Sequence, residues 1–131
     1  MKVRRAVAYA WASPNTLIGL AFALLAGCSG GRLQLHRGVV ETHGGLVTWW
    51  LRHGVPLRGG ALALTLGHVV LGVDANALHV TREHERVHVR QYERWGPLFL
   101  PAYAFASAIA YLRGQPPYHG NRFEREAYDQ A

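Results

Sequence analysis

Thr81 to Trp95 is an unbroken run with no Gly or Pro. It carries His84-Glu85-Arg86-Val87-His88, an H-E-x-x-H, and stops at Gly96-Pro97. The run predicts an α-helix over 81–95, with Thr81 as its N-cap and Gly96-Pro97 as its stop. Positions four apart stand one turn above the other on a helix face. His84 and His88 therefore converge on one cation. Glu85, about 100° round the helix, reaches a water on that cation rather than the cation itself. Two ligands and a general base on one helix are the signature of metal-assisted hydrolysis. The competing reading is a charged, solvated helix that happens to hold two of the chain's eight His.

Catalytic zinc usually has three protein ligands and an open fourth position. Near the C-terminus stands Asn121-Arg122-Phe123-Glu124-Arg125-Glu126-Ala127-Tyr128-Asp129. Here the sequence resembles the gluzincin metallopeptidases, with the nearest echo in the membrane branch that includes the CAAX prenyl proteases and HtpX-like proteases. In that family the third ligand is the first Glu of an E-x-x-A-D helix. Glu124-Arg125-Glu126-Ala127 matches its first four positions. Tyr128 stands where the Asp would be, and Asp129 follows one residue late. The resemblance implies a single zincin-like domain, Zn²⁺ held by His84, His88 and Glu124, and Glu85 as the catalytic base. Glu126 is the rival carboxylate. The stretch from His84 to Phe99 is also similar to an H-E-R-x-H-V-R-Q-Y-E-R-W-G-P block of a small bacterial group, which supplies no substrate. Together these likenesses cover the C-terminal half.

A chain of 131 residues makes one domain with a real core. Half its residues are hydrophobic and 17% are charged; the net charge of +6 comes from Arg apart from Lys2. That balance suits an anionic membrane surface or nucleic acid. No basic, aromatic-interleaved signature is present, so no nucleic-acid partner is expected. The single cysteine, Cys28, excludes an internal disulfide framework and a Cys-based zinc site.

Residues 6–28 carry no charge and follow a basic N-terminus. Three readings stay open. The segment is a retained apolar helix, buried or membrane-embedded; or a lipoprotein signal, with Leu25-Ala26-Gly27-Cys28 as a lipobox and Cys28 as the lipidated residue; or a spanning helix broken at Pro14. Pro14-Asn15-Thr16 reads as a helix start. Membrane-associated and cytoplasmic locations both remain open.

Residues 32–74 read as a β meander of short runs punctuated by glycine, with turns including Gly54-Val55-Pro56, although Leu46–Arg52 also suits a short helix. The expected fold is α+β: a small antiparallel sheet beside the H-E-x-x-H helix, with apolar helices at 6–28 and 98–112 that pack together, and a third-ligand helix at 121–129. In gluzincins a sheet edge holds the peptide as an added strand. Ala61–Leu66 and His68–Gly72 are the candidate edges. Arg82, Arg86, Arg90 and Arg94 form a stripe opposite the two His, which reads as a solvated face or a contact for lipid phosphates.

The leading expectation is a zinc-dependent metallopeptidase or related hydrolase acting on a peptide or protein. His68, His119, Tyr118 and Tyr128 are the residue types available to steady the oxyanion. The alternative is a non-catalytic, membrane-associated metal-binding module. A di-iron carboxylate protein is weaker, because it needs two E-x-x-H helices and only Glu85–His88 supplies one.

Overall fold

A computed structural model describes residues 2–55 and 60–131. The fold is α+β. Helix α1 (Lys2–Cys28) leads into the hairpin β1 (Arg32–His36) and β2 (Val39–His43). Helix α2 (Gly45–His53), strands β3 (Ala63–Leu66) and β4 (Val69–Gly72), and helix α3 (Ala75–Trp95) follow. After a 3-10 turn at Gly96–Leu98 come α4 (Phe99–Leu112) and α5 (Arg122–Gln130). The turn expected at Gly54-Val55-Pro56 runs into residues 56–59, outside the described residues.

The sheet runs β1-β2-β4-β3 and is mixed rather than purely antiparallel, because β2 and β4 pair in parallel. The cause is α2. Leu46–Arg52 takes its helical option and carries the chain past the neighbouring position to the edge strand β3, so the hairpin return, β4, enters between β2 and β3 and runs parallel to β2. All of β4 is buried, as its unalternating Val-Val-Leu run requires of a strand covered on both faces. On one face Val69 and Leu71 pack with Ala26 of α1 and with Val47 and Leu51 of α2. On the other, Val70 and Val39 pack with Leu78 and Val89 of α3. Helix α1 approaches the sheet through Gly19, where a Cβ would stand 2.6 Å from that of Val69.

Helix α3 begins six residues before the expected start. Asp74, not Thr81, is its N-cap and accepts from the Ala77 N–H at 2.7 Å. Thr81 lies inside the helix, its hydroxyl donating to the Ala77 carbonyl. The stop is where it was expected. Gly96 has φ 57, and Trp11 of α1 fills the space a Cβ would need. The last carbonyls of α3 find partners on α1: Trp11 Nε1 donates to Arg94 O, and Asn15 Nδ2 donates to Gly96 O.

The two apolar helices meet in one buried cluster, where Ala12 of α1 joins Phe99 and Ala106 of α4, but they do not pack along their length. Helix α1 packs on α2, α3, the sheet and the Gly96–Leu98 turn, whereas α4 packs on α3, α5 and that same turn. Each leaves apolar side chains in solvent: Val7, Leu17 and Leu24 on α1, and Phe105, Tyr111 and Leu112 on α4. Two helical stretches, Val3–Cys28 and Ala75–Leu112, meet the length and composition of a membrane crossing, a test that core helices and signal sequences also meet.

The arginine stripe is not one solvated face. Arg82 forks onto buried Glu41 of β2, Nε to Oε2 at 3.0 Å and Nη2 to Oε1 at 2.9 Å. Arg86 donates to the carbonyls of His36 and Arg37. Burial opposes ionisation of Glu41, but hydrogen bonds from Arg82 and Gln34 and the Arg82 charge outweigh it, so its pKa falls below 4.5. Stability from this pair is therefore full above the unfolded carboxylate's pKa and lost as the pH falls through the lower folded value. Arg82→Ala strands a buried charge and should cost about 3–5 kcal/mol near neutral pH. In urea melts the gap to wild type should narrow below pH 4.5. Equal midpoints at neutral pH would show the pair to be energetically idle.

Candidate metal centre

The middle of α3 faces α5 and α4. His84 and His88 stand on that face with ring centroids 5.0 Å apart. Both Nε2 atoms point at one carboxylate oxygen: Glu124 Oε1 lies 3.0 Å from that of His84 and 3.1 Å from that of His88. Two ligands held about 2.0–2.1 Å from one tetrahedral zinc would be about 3.3 Å apart, so little movement separates this triad from a ligand set. His84, Glu85 and His88 also offer atoms within 4.8 Å of one another. The set containing Glu124 is the tighter one. Glu85 Oε2 stands back at 3.8 Å from His84 Nε2.

Surrounding bonds orient His88, Glu124 and Glu85. Gln91 donates through Nε2 to Phe123 O and Glu126 Oε1, so its Oε1 faces His88 Nδ1 at 2.8 Å. A proton held on Nδ1 leaves Nε2 as the ligating nitrogen. Tyr103 donates to Glu124 Oε2 at 2.5 Å, which leaves Oε1 for the His pair. Thr65 of β3 donates to Glu85 Oε1 at 2.9 Å, which leaves Oε2 on the His side. Two imidazoles and one carboxylate, with Gln91 behind His88 and Tyr103 behind Glu124, suit zinc.

Helix α5 is docked by Asn121, which is fully buried. Its Oδ1 accepts from the Phe123 N–H as N-cap, and its Nδ2 donates to Tyr103 O and Ser107 Oγ of α4. That anchor brings Glu124, rather than Glu126, to the His pair.

Electrostatics follow from this packing. Burial raises the Glu85 carboxyl above its ordinary range, against the charges of His88 and His84 and the Thr65 hydrogen bond. Burial also opposes ionisation of Glu124, but hydrogen bonds from His84 and His88, the His88 charge and Tyr103 hold it at about 2. For His88, burial favours the neutral ring, yet the Glu124 hydrogen bond, the Glu85 and Glu124 charges and Gln91 raise it to about 9. A cation taken up here displaces those protons, so binding releases protons.

The cluster forms the floor of a cleft of about 840 Å³. Apolar walls come from Leu62 before β3, from Leu64 in it, and from Phe99, Leu100 and Tyr103 of α4. Strand β3 is a sheet edge and β4 is interior, so of the two candidate edges only Ala61–Leu66 lies at one. Val73 N–H donates to Leu62 O, and pairing in β3–β4 alternates from there. The main-chain groups of Ala63 and Thr65 therefore point away from β4, and Tyr92 accordingly reaches the Thr65 carbonyl at 2.9 Å.

Of the four oxyanion candidates, Tyr118 and Tyr128 line the cleft, their hydroxyls 3.4 Å apart. Tyr128, at the position where the resembled family has Asp, packs edge-on against His84 at 4.4 Å. His119 is exposed beside those two tyrosines. His68 is not in the cleft; it stacks on Tyr9 and pairs with Glu93 on the far side of α3. Sequence reasoning did not single out Thr65, Gln91 or Tyr103. For Gln91 a signal existed, its place three residues after His88 on the same helix. Thr65 and Tyr103 reach the site only through tertiary packing. Comparison of the chain with protein-family models, with curated proteins and with solved structures found no match.

Proposed function

We propose that this protein is a zinc-dependent hydrolase that cleaves peptide bonds. The observation that carries the reading is the convergence of His84, His88 and Glu124 on one point, with the free oxygen of Glu85 beside it, on the floor of an apolar cleft bordered by an open strand edge. His84, His88 and Glu124 would hold the metal. Bound zinc supplies a Lewis acid that lowers the pKa of water to about 7 and polarises a carbonyl. Glu85 Oε2 takes the proton from the attacking water and returns it to the departing nitrogen. Thr65 keeps Glu85 in the rotamer that does this. The peptide pairs with Ala63 as an added strand, which fixes its carbonyl over the cluster. Tyr118 or Tyr128 donates to the oxygen that gains charge.

The exposed apolar faces of α1 and α4 support work at a membrane surface, and α4 forms one wall of the cleft. Apolar peptide segments are the fitting substrates.

The test is metal analysis of the purified chain beside His88→Ala, followed by a peptide-library digest in detergent and with lipid. About one zinc per chain, lost in the variant, together with zinc-dependent cleavage is the expected result. Zinc without cleavage of any peptide would move the assignment to a non-catalytic metal-binding module at the membrane. No zinc in either protein would remove the metal reading.

A further inference from the structure

We propose that the back of α3 carries a second binding site, one that takes a phosphate group. Arg86 and Arg90 lie about 200° round α3 from His84 and His88, so they face away from the metal cleft. There they meet Arg5 and Tyr9 of α1, Arg37 of the β1–β2 turn, and His68, around a pocket of about 120 Å³. Four arginines surround it with one carboxylate, Glu93. That carboxylate is engaged by His68 Nε2 at 2.7 Å. Among the described residues none of the four arginines is ion-paired.

Two further observations point to an anion. His68 is 4% exposed, and its Nδ1 is buried without a hydrogen-bond partner among the described residues. Its ring is clamped by Tyr9, stacked at 3.9 Å, while the Tyr9 hydroxyl is held by Gly38 O at 2.6 Å. His68 thus lines the basic pocket with one ring nitrogen left unsatisfied among the described residues, a polar imbalance that calls for an explanation. Arg37 is the second. It has φ 50, the described non-glycine residue with a left-handed backbone, in a two-residue hairpin turn where Asn or Asp usually precedes Gly. The strained position places a guanidinium at this pocket, and strain of this kind gathers at ligand sites.

Size and chemistry narrow the ligand. Small-molecule sites generally begin at roughly 300 Å³, so this pocket admits a tetrahedral oxyanion and not a nucleotide. Guanidinium forks match phosphate oxygens in pairs. The phosphate has two possible sources, a free phosphate or the headgroup of a lipid.

The experiment uses the full chain in mild detergent. Inorganic phosphate is titrated by calorimetry, and flotation is measured with phosphatidylcholine vesicles, alone or containing phosphatidic acid or an equal charge of phosphatidylserine. Arg37→Gln/Arg90→Gln is the test variant, with R90Q alone, at an exposed position, if the pair alters the circular dichroism spectrum. A charge-assisted hydrogen bond is worth on the order of tenfold in affinity, so binding should weaken about tenfold or more. Phosphate binding lost in the variant and kept in His88→Ala supports a free-phosphate ligand, clear of the metal cluster. Preference for phosphatidic acid over phosphatidylserine, lost in the variant, supports the headgroup. The proposal is overturned if wild type prefers neither ligand over controls, if the variants bind as wild type does, or if phosphate binding is lost in His88→Ala while wild type shows no headgroup preference.

Discussion

Replacing Glu85 with Gln is expected to leave about one zinc per chain and to lower peptide hydrolysis by roughly 10²–10⁴-fold, the usual contribution of a positioned general base. Gln keeps the length and planarity of the side chain, and its carbonyl oxygen still accepts from Thr65. What it lacks is a basic oxygen facing the His pair. Because burial already disfavours the Glu85 carboxylate, a neutral amide there should not lower stability in a thermal melt. The decisive pairing is metal content against rate. Glu85 offers an atom within 4.8 Å of both His donors, so a ligand role is a real rival. Loss of zinc in E85Q would establish that rival, and an unchanged rate with zinc retained would remove Glu85 from the chemistry.

Glu124→Ala should cost more zinc affinity than any change in the shell around the ligands. Removing an outer partner typically costs about 10–100-fold, and that range is the expectation for Gln91→Leu. Glu126 meets Gln91 at 2.7 Å and not the His pair, so Glu126→Ala should fall at or below the same range. Removing Glu124 leaves two neutral imidazoles without a charged third ligand, and the loss should lie well beyond it. Competition with a zinc-chelating dye separates the three variants. If Glu126→Ala loses more zinc than Glu124→Ala, the carboxylate has been assigned to the wrong residue. Because Gln91 sits between the two helices, Q91L should also loosen the α3–α5 contact, visible as faster amide exchange in α5.

Much of this was legible in the residues because the signals are local. An i,i+4 His pair on an uninterrupted helix needs no tertiary knowledge to share a face, and Gly96-Pro97 stops that helix through backbone sterics alone. The sequence places the start of α3 too late because Asp74 closes a run of β-like residues, and only its hydrogen bond to the Ala77 N–H marks it as a cap. The parallel β2–β4 pair was hidden for a related reason. Leu46–Arg52 suits strand or helix locally, and packing of Val47 and Leu51 into the core decides for the helix. Helix content in α1 and α4 was evident from composition, but their partners were not, since a helix that is apolar on all sides does not declare which side is covered.

The sequence by itself determined the candidate ligand types, their spacing on α3 and a carboxylate-bearing helix near the C-terminus, because each is a property of short segments. Tertiary structure decided which carboxylate meets the His pair, which strand forms the open edge, and where four arginines gather. Those depend on the docking of α5 by Asn121, the crossing of α2 and the approach of α1 to the back of α3. All three join residues far apart in the chain, whose meeting no local periodicity records.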